Sequence, residues 1–301
     1  MPERSLESAT FYLLADESGV PLRTPTGTNS AQVKLREIQI NLEITSLIQG
    51  AETGSPPLIG IAAGLRSDER EWSMNNFVQR VWGGGGDRVS RFHAEDNRFM
   101  GVAQFRHLPT SVGIKVANRL LGTHPRLPAW PYPAMRSIEA VLQPDWRVLE
   151  FGSGWSTLWL ADRAAEVVSI ESSPVWAAFV QKKAESCGAV VKVLQRELED
   201  YPDTASFADA SFDLCVIDGW RRQACLENAL RLIRPGGYLY LDTSEAARDE
   251  MVYAGGGSRQ AVRQSARVAA RDSGGELKEC RGLIVGEVFA GDGILLRKGG
   301  N

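Results

Sequence analysis

The sequence contains few of the residue patterns that identify metal, disulfide or zinc-dependent proteins. Among its 301 residues are only three histidines, His93, His107 and His124, and no two of them form HxxxH. The four cysteines occur singly, at positions 187, 215, 225 and 280, with no CxxC pair. This spacing disfavours both a metal-thiolate site and a disulfide framework.

Long apolar runs and an excess of charge of one sign are also missing. No run approaches the ~18 apolar residues that a membrane-spanning helix requires, and the N-terminus has no apolar segment typical of signal peptides. The net charge of −3 gives no electrostatic basis for a nucleic-acid or anionic-membrane partner. We therefore expect a cytoplasmic protein that binds neither nucleic acid nor membrane.

The first 125 residues show strand-like and helix-like patterns without a repeating order. Apolar and polar residues alternate over 38–44, the period of a half-buried strand. Residues 68–82 favour a helix, because Asp68 and Glu71 form a capping-box pair and four glycines follow at 83–86. These patterns predict a small α+β accessory region over 1–125.

A proline-rich connector follows this region. Its prolines stiffen the chain, and two large aromatic residues, Trp130 and Tyr132, lie between them. These aromatic side chains could cover a ligand, but packing between two parts of the protein is the favoured interpretation.

From residue 126 onward, short apolar strands alternate with helical patterns. The predicted strands are 147–151, 167–170, 190–194, 212–217, 238–241, 283–289 and 294–296, and the predicted helices are 134–142, 156–165, 173–187, 221–233 and 258–271. This alternation predicts an α/β fold with a doubly wound, mostly parallel sheet. No helical pattern separates the last two strands, so we expect a C-terminal hairpin with one strand antiparallel to the rest.

The segment VLEFGSGWST at 148–157 combines a buried strand, a glycine turn and the start of a helix. Glycines let the backbone approach a ligand, and the first helical N–H groups point towards it. Ligands of doubly wound sheets bind at the carboxyl ends of the strands. Five acidic residues are predicted there: Glu150, Glu171, Glu197, Asp218 and Asp242. Such a cradle suits a nicotinamide dinucleotide or S-adenosylmethionine.

Two features of this segment favour S-adenosylmethionine. The nicotinamide fingerprint GxGxxG has a third glycine where this chain has Thr157. Glu150 lies two residues before the first glycine, and its carboxylate would repel a pyrophosphate but attract the ammonium group of a methionine moiety.

At this point the chain resembles the class I S-adenosylmethionine-dependent methyltransferases. Four segments carry the resemblance, which spans about residues 130–298: VLEFGSGWSTLWL at 148–160, VVSIE at 167–171, FDLCVIDGW at 212–220 and RPGGYLYLD at 234–242. It implies a Rossmann-like methyltransferase domain over 126–301, with S-adenosylmethionine as cofactor. Ser156 departs from the pattern, because many members have a glycine there, but serine is small and can cap the helix.

The resemblance also implies roles at matching positions. Five turn residues would line the methionine portion of the cofactor: Glu150, Gly152, Ser153, Gly154 and Trp155. Glu171 and Ser172 would hold the ribose, and Glu197 would contact the adenine. Asp218 would lie at the mouth of the active site, contacting cofactor and acceptor, while Arg221 and Arg222 would suit an anionic acceptor. We expect a small-molecule acceptor methylated on O or N, with a homo-oligomer left open.

The sequence leaves a metal-dependent variant of this chemistry open. Catechol-type methyltransferases hold Mg²⁺ on an Asp after the fourth strand and an Asp-Asn pair after the fifth. Asp218 and Asp242 occupy comparable positions, but Thr243 replaces the Asn, and Arg221 stands where a lysine base would be. Two further functions also stay open: a non-catalytic cofactor-binding scaffold with a protein-binding N-terminal region, and an NAD(P)-dependent oxidoreductase.

A stripe of arginines recurs every four residues in the helix predicted at 258–271. Its members share one helical face and are Arg259, Arg263, Arg267 and Arg271. A solvated face is the favoured interpretation, with a docking surface for an acidic partner as the alternative.

Overall fold

The computed structural model describes residues 89–94, 96–122, 124–243 and 258–300. The strand predicted at 38–44 and the helix predicted at 68–82 lie outside these ranges. None of the helices within them is long and apolar enough to cross a membrane.

A seven-stranded sheet forms the centre of the described structure. Its strands are β1 (Arg147–Phe151), β2 (Glu166–Glu171), β3 (Val191–Gln195), β4 (Phe212–Ile217), β5 (Ile233–Asp242), β6 (Glu276–Leu283) and β7 (Ala290–Arg297). The order is β3-β2-β1-β4-β5-β7-β6. The first five strands are parallel, and β7 runs antiparallel to both of its neighbours. The predicted doubly wound sheet with an antiparallel C-terminal strand is confirmed.

The helices of the described part cover both faces of the sheet. They are α1 (Leu108–Leu121), α2 (Tyr132–Glu139), α3 (Trp155–Ala161), α4 (Pro174–Ser186), α5 (Arg222–Leu232) and α6 (Arg259–Asp272), with a 3₁₀ helix at Val102–His107. On one face α2 and α3 pack against apolar side chains such as Val148 and Val216. On the other face α5 and α6 pack against the alternate residues of the same strands, such as Leu149 and Ile217.

One strand lies earlier than the sequence predicts. Only the first residue of the apolar run 283–289 lies in a strand; β6 covers Glu276–Leu283, and residues 284–289 form the turn that leads to β7. The prediction was wrong because β6 is an edge strand in which charged residues are interspersed with others, whereas a continuous apolar run is typical of strands buried on both faces. Residues 283–285 are apolar because they are buried under the segment that precedes the sheet.

Residues 89–122 and the connector pack on the β6–β7 hairpin. Phe92 and Met100 belong to one buried cluster with Leu283 and Val285. The backbone N–H of Val285 donates to the Trp130 carbonyl at 3.0 Å. Trp130 itself is buried in a cluster of residues from 127 onward, so its predicted packing between two parts of the protein stays a prediction, as does the domain boundary at 125/126.

The arginine stripe on α6 forms ion pairs within the protein. Arg263 contacts the buried Asp292 at 2.9 Å and Glu279 at 3.2 Å, and Arg259 also contacts Asp292, at 2.7 Å. Arg267 pairs with Glu279 at 2.6 Å. The prediction of a solvated face is therefore wrong for Arg259 and Arg263, because β6 and β7 present carboxylates to α6 and cover these two side chains. Arg267 and Arg271 are exposed, as predicted.

Candidate active site

The turn after β1 is packed directly against the backbone that follows β4. Gly152 has a φ of 102°, and a Cβ built there would lie 2.9 Å from the carbonyl carbon and oxygen of Asp218. Both the left-handed conformation and this close approach require glycine. Gly154 is extended, with φ at −177°, and a Cβ there would meet only the Ser156 hydroxyl, at 3.7 Å. The two glycines of the motif therefore have different roles.

Glu150, at the end of β1, is completely buried among hydroxyl groups. Ser156 donates to its Oε1 at 2.5 Å, and Thr157 and Ser169 donate to its Oε2 at 2.5 and 2.9 Å. Burial raises the pKa of Glu150 to about 7, against the opposing effect of the three hydroxyl groups. These contacts support the interpretation of Glu150 as a carboxylate that holds the first turn of α3, and its contact with a cofactor stays a prediction.

Ser156 was expected to cap the helix after β1, but the N-cap is Gly154 and the capping hydrogen bond comes from Thr157. α3 begins at Trp155 with Gly154 as its N-cap, so Ser156 lies within the first turn. Its hydroxyl donates to Glu150, and Thr157 Oγ1 accepts the Gly154 N–H at 2.8 Å. Thr157 thus performs the reciprocal hydrogen bond of a capping box, because its side chain reaches back to the N-cap amide.

Glu171, at the end of β2, connects its own loop to the glycine turn. Its Oε2 accepts the Ser153 N–H at 3.0 Å, and its Oε1 accepts the N–H groups of Ser172 and Ser173, each at 2.9 Å. Burial raises the pKa of Glu171, an effect that these backbone donors oppose. The structure therefore brings Ser153, Glu171 and Ser172 together at one corner of the sheet edge.

A row of aromatic rings lies beside this corner. Trp155 stacks on His124 with ring centroids 5.5 Å apart and meets Phe179 edge-on at 5.9 Å. Trp176 stacks on Phe179 at 5.0 Å and donates its indole N–H to the Ser153 carbonyl at 2.7 Å. Trp155 is half-buried, so part of its ring stays accessible at the turn.

Asp218 and Asp242, at the ends of β4 and β5, share a buried arginine. Arg222 lies 3.4 Å from Asp218 Oδ1 and 3.5 Å from Asp242 Oδ2. Trp130 donates its indole N–H to Asp218 Oδ2 at 2.7 Å, and the Tyr240 hydroxyl donates to Asp242 Oδ1 at 2.9 Å. The Asp218 side chain is 22% exposed and that of Asp242 only 3%, so Asp218 is the member of the pair that a ligand can reach.

The two remaining predicted site residues lie on the β3 side of the edge. Arg221 directs Nη1 to the carbonyl oxygens of Leu198 and Glu199, at 3.0 and 2.7 Å. Glu197 is exposed and accepts a hydrogen bond from Gln195, at 3.0 Å. Arg221 is therefore not brought to Asp218, and its predicted contact with an acceptor stays a prediction.

Residues 149–241 match the family model described as a methyltransferase domain. This segment is a methyltransferase domain. The match contains the turn after β1, the ends of β2 and β4, and nearly all of β5, so the resemblance stated from the sequence is confirmed. No curated protein matches the chain.

Several solved structures are similar to the chain that carries this methyltransferase domain. The O-methyltransferase TomG from Streptomyces achromogenes, solved with S-adenosylmethionine, is 21% identical; the match covers 64% of this chain and 90% of that one, with a TM-score of 0.45. An O-methyltransferase from Bacillus cereus, solved with SAH, is 18% identical. The match covers 74% of this chain and 96% of that one, with a TM-score of 0.43. A branched-chain polyamine synthase from Thermus thermophilus is 14% identical. The match covers 55% of this chain and 54% of that one, with a TM-score of 0.43.

Sequence reasoning missed several polar residues that position the site of the methyltransferase domain. Trp130 was expected to pack or to cover a ligand, yet it donates a hydrogen bond to Asp218, 88 residues away in the sequence. Ser169 faces Glu150 from inside β2, where a serine in an apolar strand was a visible but unused signal. Arg222 was grouped with Arg221, although the loop between Asp218 and α5 is short enough for the first residue of the helix to reach back to Asp218.

Proposed function

We propose that this chain is an S-adenosylmethionine-dependent methyltransferase that transfers the methyl group to an O or N atom of a small-molecule acceptor. The proposal rests on how residues are arranged at the carboxyl ends of β1, β2 and β4. The Gly152 turn lies against the backbone of Asp218, and Glu171 is fixed to the same turn through the Ser153 N–H. A ligand lying across these strand ends would reach the turn, the carboxylate after β2 and Asp218 together.

The side chain of Thr157 supports this cofactor over a dinucleotide. A dinucleotide fingerprint uses glycine at that position for close packing of helix and strand. Here Thr157 Oγ1 is completely buried, donates to Glu150 and accepts the Gly154 N–H. The position therefore carries a side chain with two defined hydrogen bonds, which glycine cannot make.

Methyl transfer requires little dedicated chemistry from the protein. The methyl carbon is already activated by the sulfonium, so the protein has to orient the acceptor, exclude water and, for some acceptors, accept a proton. We propose that Asp218 performs the acceptor-side role, because it is the partly exposed carboxylate where β4 meets the turn. The net charge of −3 supports a small acceptor over a polyanion.

Isothermal titration of the full chain with S-adenosylhomocysteine, NAD⁺ and NADP⁺ tests the cofactor. We expect S-adenosylhomocysteine alone to bind, and Glu171→Gln to weaken its binding about tenfold or more, because a hydrogen bond to a charged group contributes about 1.5–3 kcal/mol. Glu166→Gln is the matched control, since Glu166 lies at the opposite end of β2 and pairs with Arg147. Tight nicotinamide binding without S-adenosylhomocysteine binding would overturn the proposal.

The acceptor class is tested by S-adenosylhomocysteine release with hydroxyl, phenol, amine and carboxylate compounds. We expect turnover with one class and its loss in Asp218→Asn at saturating cofactor. Turnover that Asp218→Asn leaves intact contradicts the role of Asp218. Binding of S-adenosylhomocysteine without turnover on any class supports the non-catalytic scaffold instead.

A further inference from the structure

A positively charged side chain of the protein, Arg222, lies between the carboxylates at the ends of β4 and β5. All four oxygens of Asp218 and Asp242 face a hydrogen-bond donor of the protein. Arg222 lies 3.4 Å from one Asp218 oxygen and 3.5 Å from one Asp242 oxygen. Trp130 donates to the other Asp218 oxygen at 2.7 Å, and Tyr240 to the other Asp242 oxygen at 2.9 Å.

The environment of Arg222 fixes its guanidinium in this position. Its side chain is 1% exposed, its Nε donates to the Gly219 carbonyl at 3.0 Å, and its Nη1 donates to the Asp242 carbonyl oxygen. A guanidinium stays protonated in proteins. It therefore contributes a permanent positive charge between two carboxylates, one of which is almost completely buried.

These residues do not fit the magnesium alternative. Mg²⁺ requires near-octahedral oxygen ligands and usually keeps several water molecules. Here the space between the carboxylates contains the Arg222 side chain, and a divalent ion would have to displace its guanidinium and leave it buried and unpaired. Within the described ranges, no group of three or more His, Cys, Asp and Glu side chains is arranged to hold a metal.

We propose that Arg222 takes the place, as a built-in cation, of the Mg²⁺ that metal-dependent methyltransferases hold between the acids after their fourth and fifth strands. The Asp218–Asp242 pair therefore binds no divalent cation, and Asp218 is held in place by Arg222 and Trp130. This inference concerns the charge of the strand ends, so it holds whether or not the proposed acceptor chemistry is correct.

Mn²⁺ binding to the full chain, followed by electron paramagnetic resonance, tests the wild-type protein. We expect no Mn²⁺ binding that depends on Asp242, and the same thermal unfolding midpoint in Mg²⁺ as in EDTA. Mn²⁺ binding that Asp242→Asn abolishes would overturn the proposal. This comparison requires no substitution of Arg222.

Arg222→Ala tests whether the guanidinium is what excludes the metal. Removing it leaves two carboxylates without their shared cation, so we expect the Mn²⁺ affinity to rise about tenfold or more, the factor given by 1.4 kcal/mol of added attraction. The double variant Arg222→Ala/Asp242→Asn should lose this gain. Arg221→Ala is the matched control, because Arg221 contacts the loop after β3 instead. A folded Arg222→Ala protein that gains no Mn²⁺ affinity would also overturn the proposal.

Discussion

At the scale of single residues, two neighbouring strand ends bury their carboxylates in different surroundings. Glu171 accepts three backbone N–H groups, which cannot rotate away and therefore favour the charged form. Within the described ranges, the donors to Glu150 are all hydroxyl groups, and hydroxyls can donate or accept. A protonated Glu150 can thus keep its partners by reversing one hydroxyl, so its surroundings tolerate both protonation states.

Because of the raised pKa of Glu150, we predict that the free energy of unfolding depends on pH. This pKa is raised from the usual 4.5 to about 7 by burial, so the folded state binds the proton more tightly than the unfolded state. The contribution to stability is full below pH 4.5 and disappears as the pH rises through about 7. We expect Glu150→Gln to gain about 3 kcal/mol relative to wild type across this interval, at about 1.4 kcal/mol per pKa unit.

Urea unfolding of both proteins, at a series of pH values that spans this interval, measures the difference. Parallel stability curves for wild type and Glu150→Gln would contradict the prediction. Glu166→Gln is the control, because Glu166 pairs with Arg147 at the exposed start of β2 and should not change the curve.

Trp130 gives a second prediction at this scale. Trp130→Phe keeps an aromatic ring between Trp159 and Tyr240 but removes the donor to Asp218. We expect a loss of about 1.5–3 kcal/mol, the contribution of a hydrogen bond to a charged group. In a double-mutant cycle with Asp218→Asn the two losses should not add. Trp146→Phe, in the same apolar cluster, controls for the change in ring size, and additive losses would refute the interaction.

At the scale of elements, α6 is attached to the sheet by charge as well as by apolar packing. Its apolar residues Val262, Ala266 and Ala270 are buried against the sheet. Arg263, one residue away from Val262, is 6% exposed and reaches Asp292 on β7 and Glu279 on β6. The helix therefore contacts β6 and β7 through a polar network at its N-terminal half.

Two arginines of the same helix should respond very differently to substitution. Arg263→Met leaves the buried Asp292 with one cation fewer, and breaking a buried ion pair costs about 3–5 kcal/mol. Arg271→Met should change stability by less than about 1 kcal/mol, because Arg271 is 76% exposed and its ion pair with the neighbouring Asp272 lies at the surface. Thermal or urea unfolding compares the two variants, and similar losses would contradict the assignment of a buried network.

The sequence predicted the bounds of individual elements best where a single local pattern, such as an apolar strand or a helix cap, determines them. β1 and β4 have the predicted bounds, 147–151 and 212–217, because both are short, largely apolar and buried segments at the centre of the sheet. α4 begins after the predicted cap, with the Ser173 hydroxyl accepting the Trp176 N–H at 3.3 Å. β6 was misplaced because nothing local distinguishes a charged edge strand from a polar loop.

At the scale of the whole described structure, most of the contacts that the sequence did not reveal join segments that are distant in the sequence. The order of the strand-end acids was visible because each lies within two residues of the end of its strand. The Trp130–Asp218 and Arg263–Asp292 pairs were not visible, because they depend on which loops meet after the sheet has formed. Composition and periodicity contain no information on which distant segments come into contact.

The packing of residues 89–122 gives a prediction at this scale for the boundary at 125/126. A fragment that starts at residue 126 lacks Phe92 and Met100, which cover Leu283 and Val285 at the β6–β7 hairpin. Uncovering a large apolar side chain costs about 1.5–3 kcal/mol. We therefore expect fragment 126–301 to unfold at lower urea concentration than fragment 89–301 and to bind more of a dye specific for exposed apolar surface.

The comparison between the two fragments isolates residues 89–125, because both lack the same preceding segment. Leu283→Ser in fragment 89–301 should imitate the truncation by weakening the same cluster from the sheet side. Equal stability of the two fragments would mean that this cluster contributes little and that the boundary at 125/126 separates independent parts. A lower stability of fragment 126–301 would instead place the structural limit of the methyltransferase domain before the connector, because its last two strands need the residues that precede Pro125.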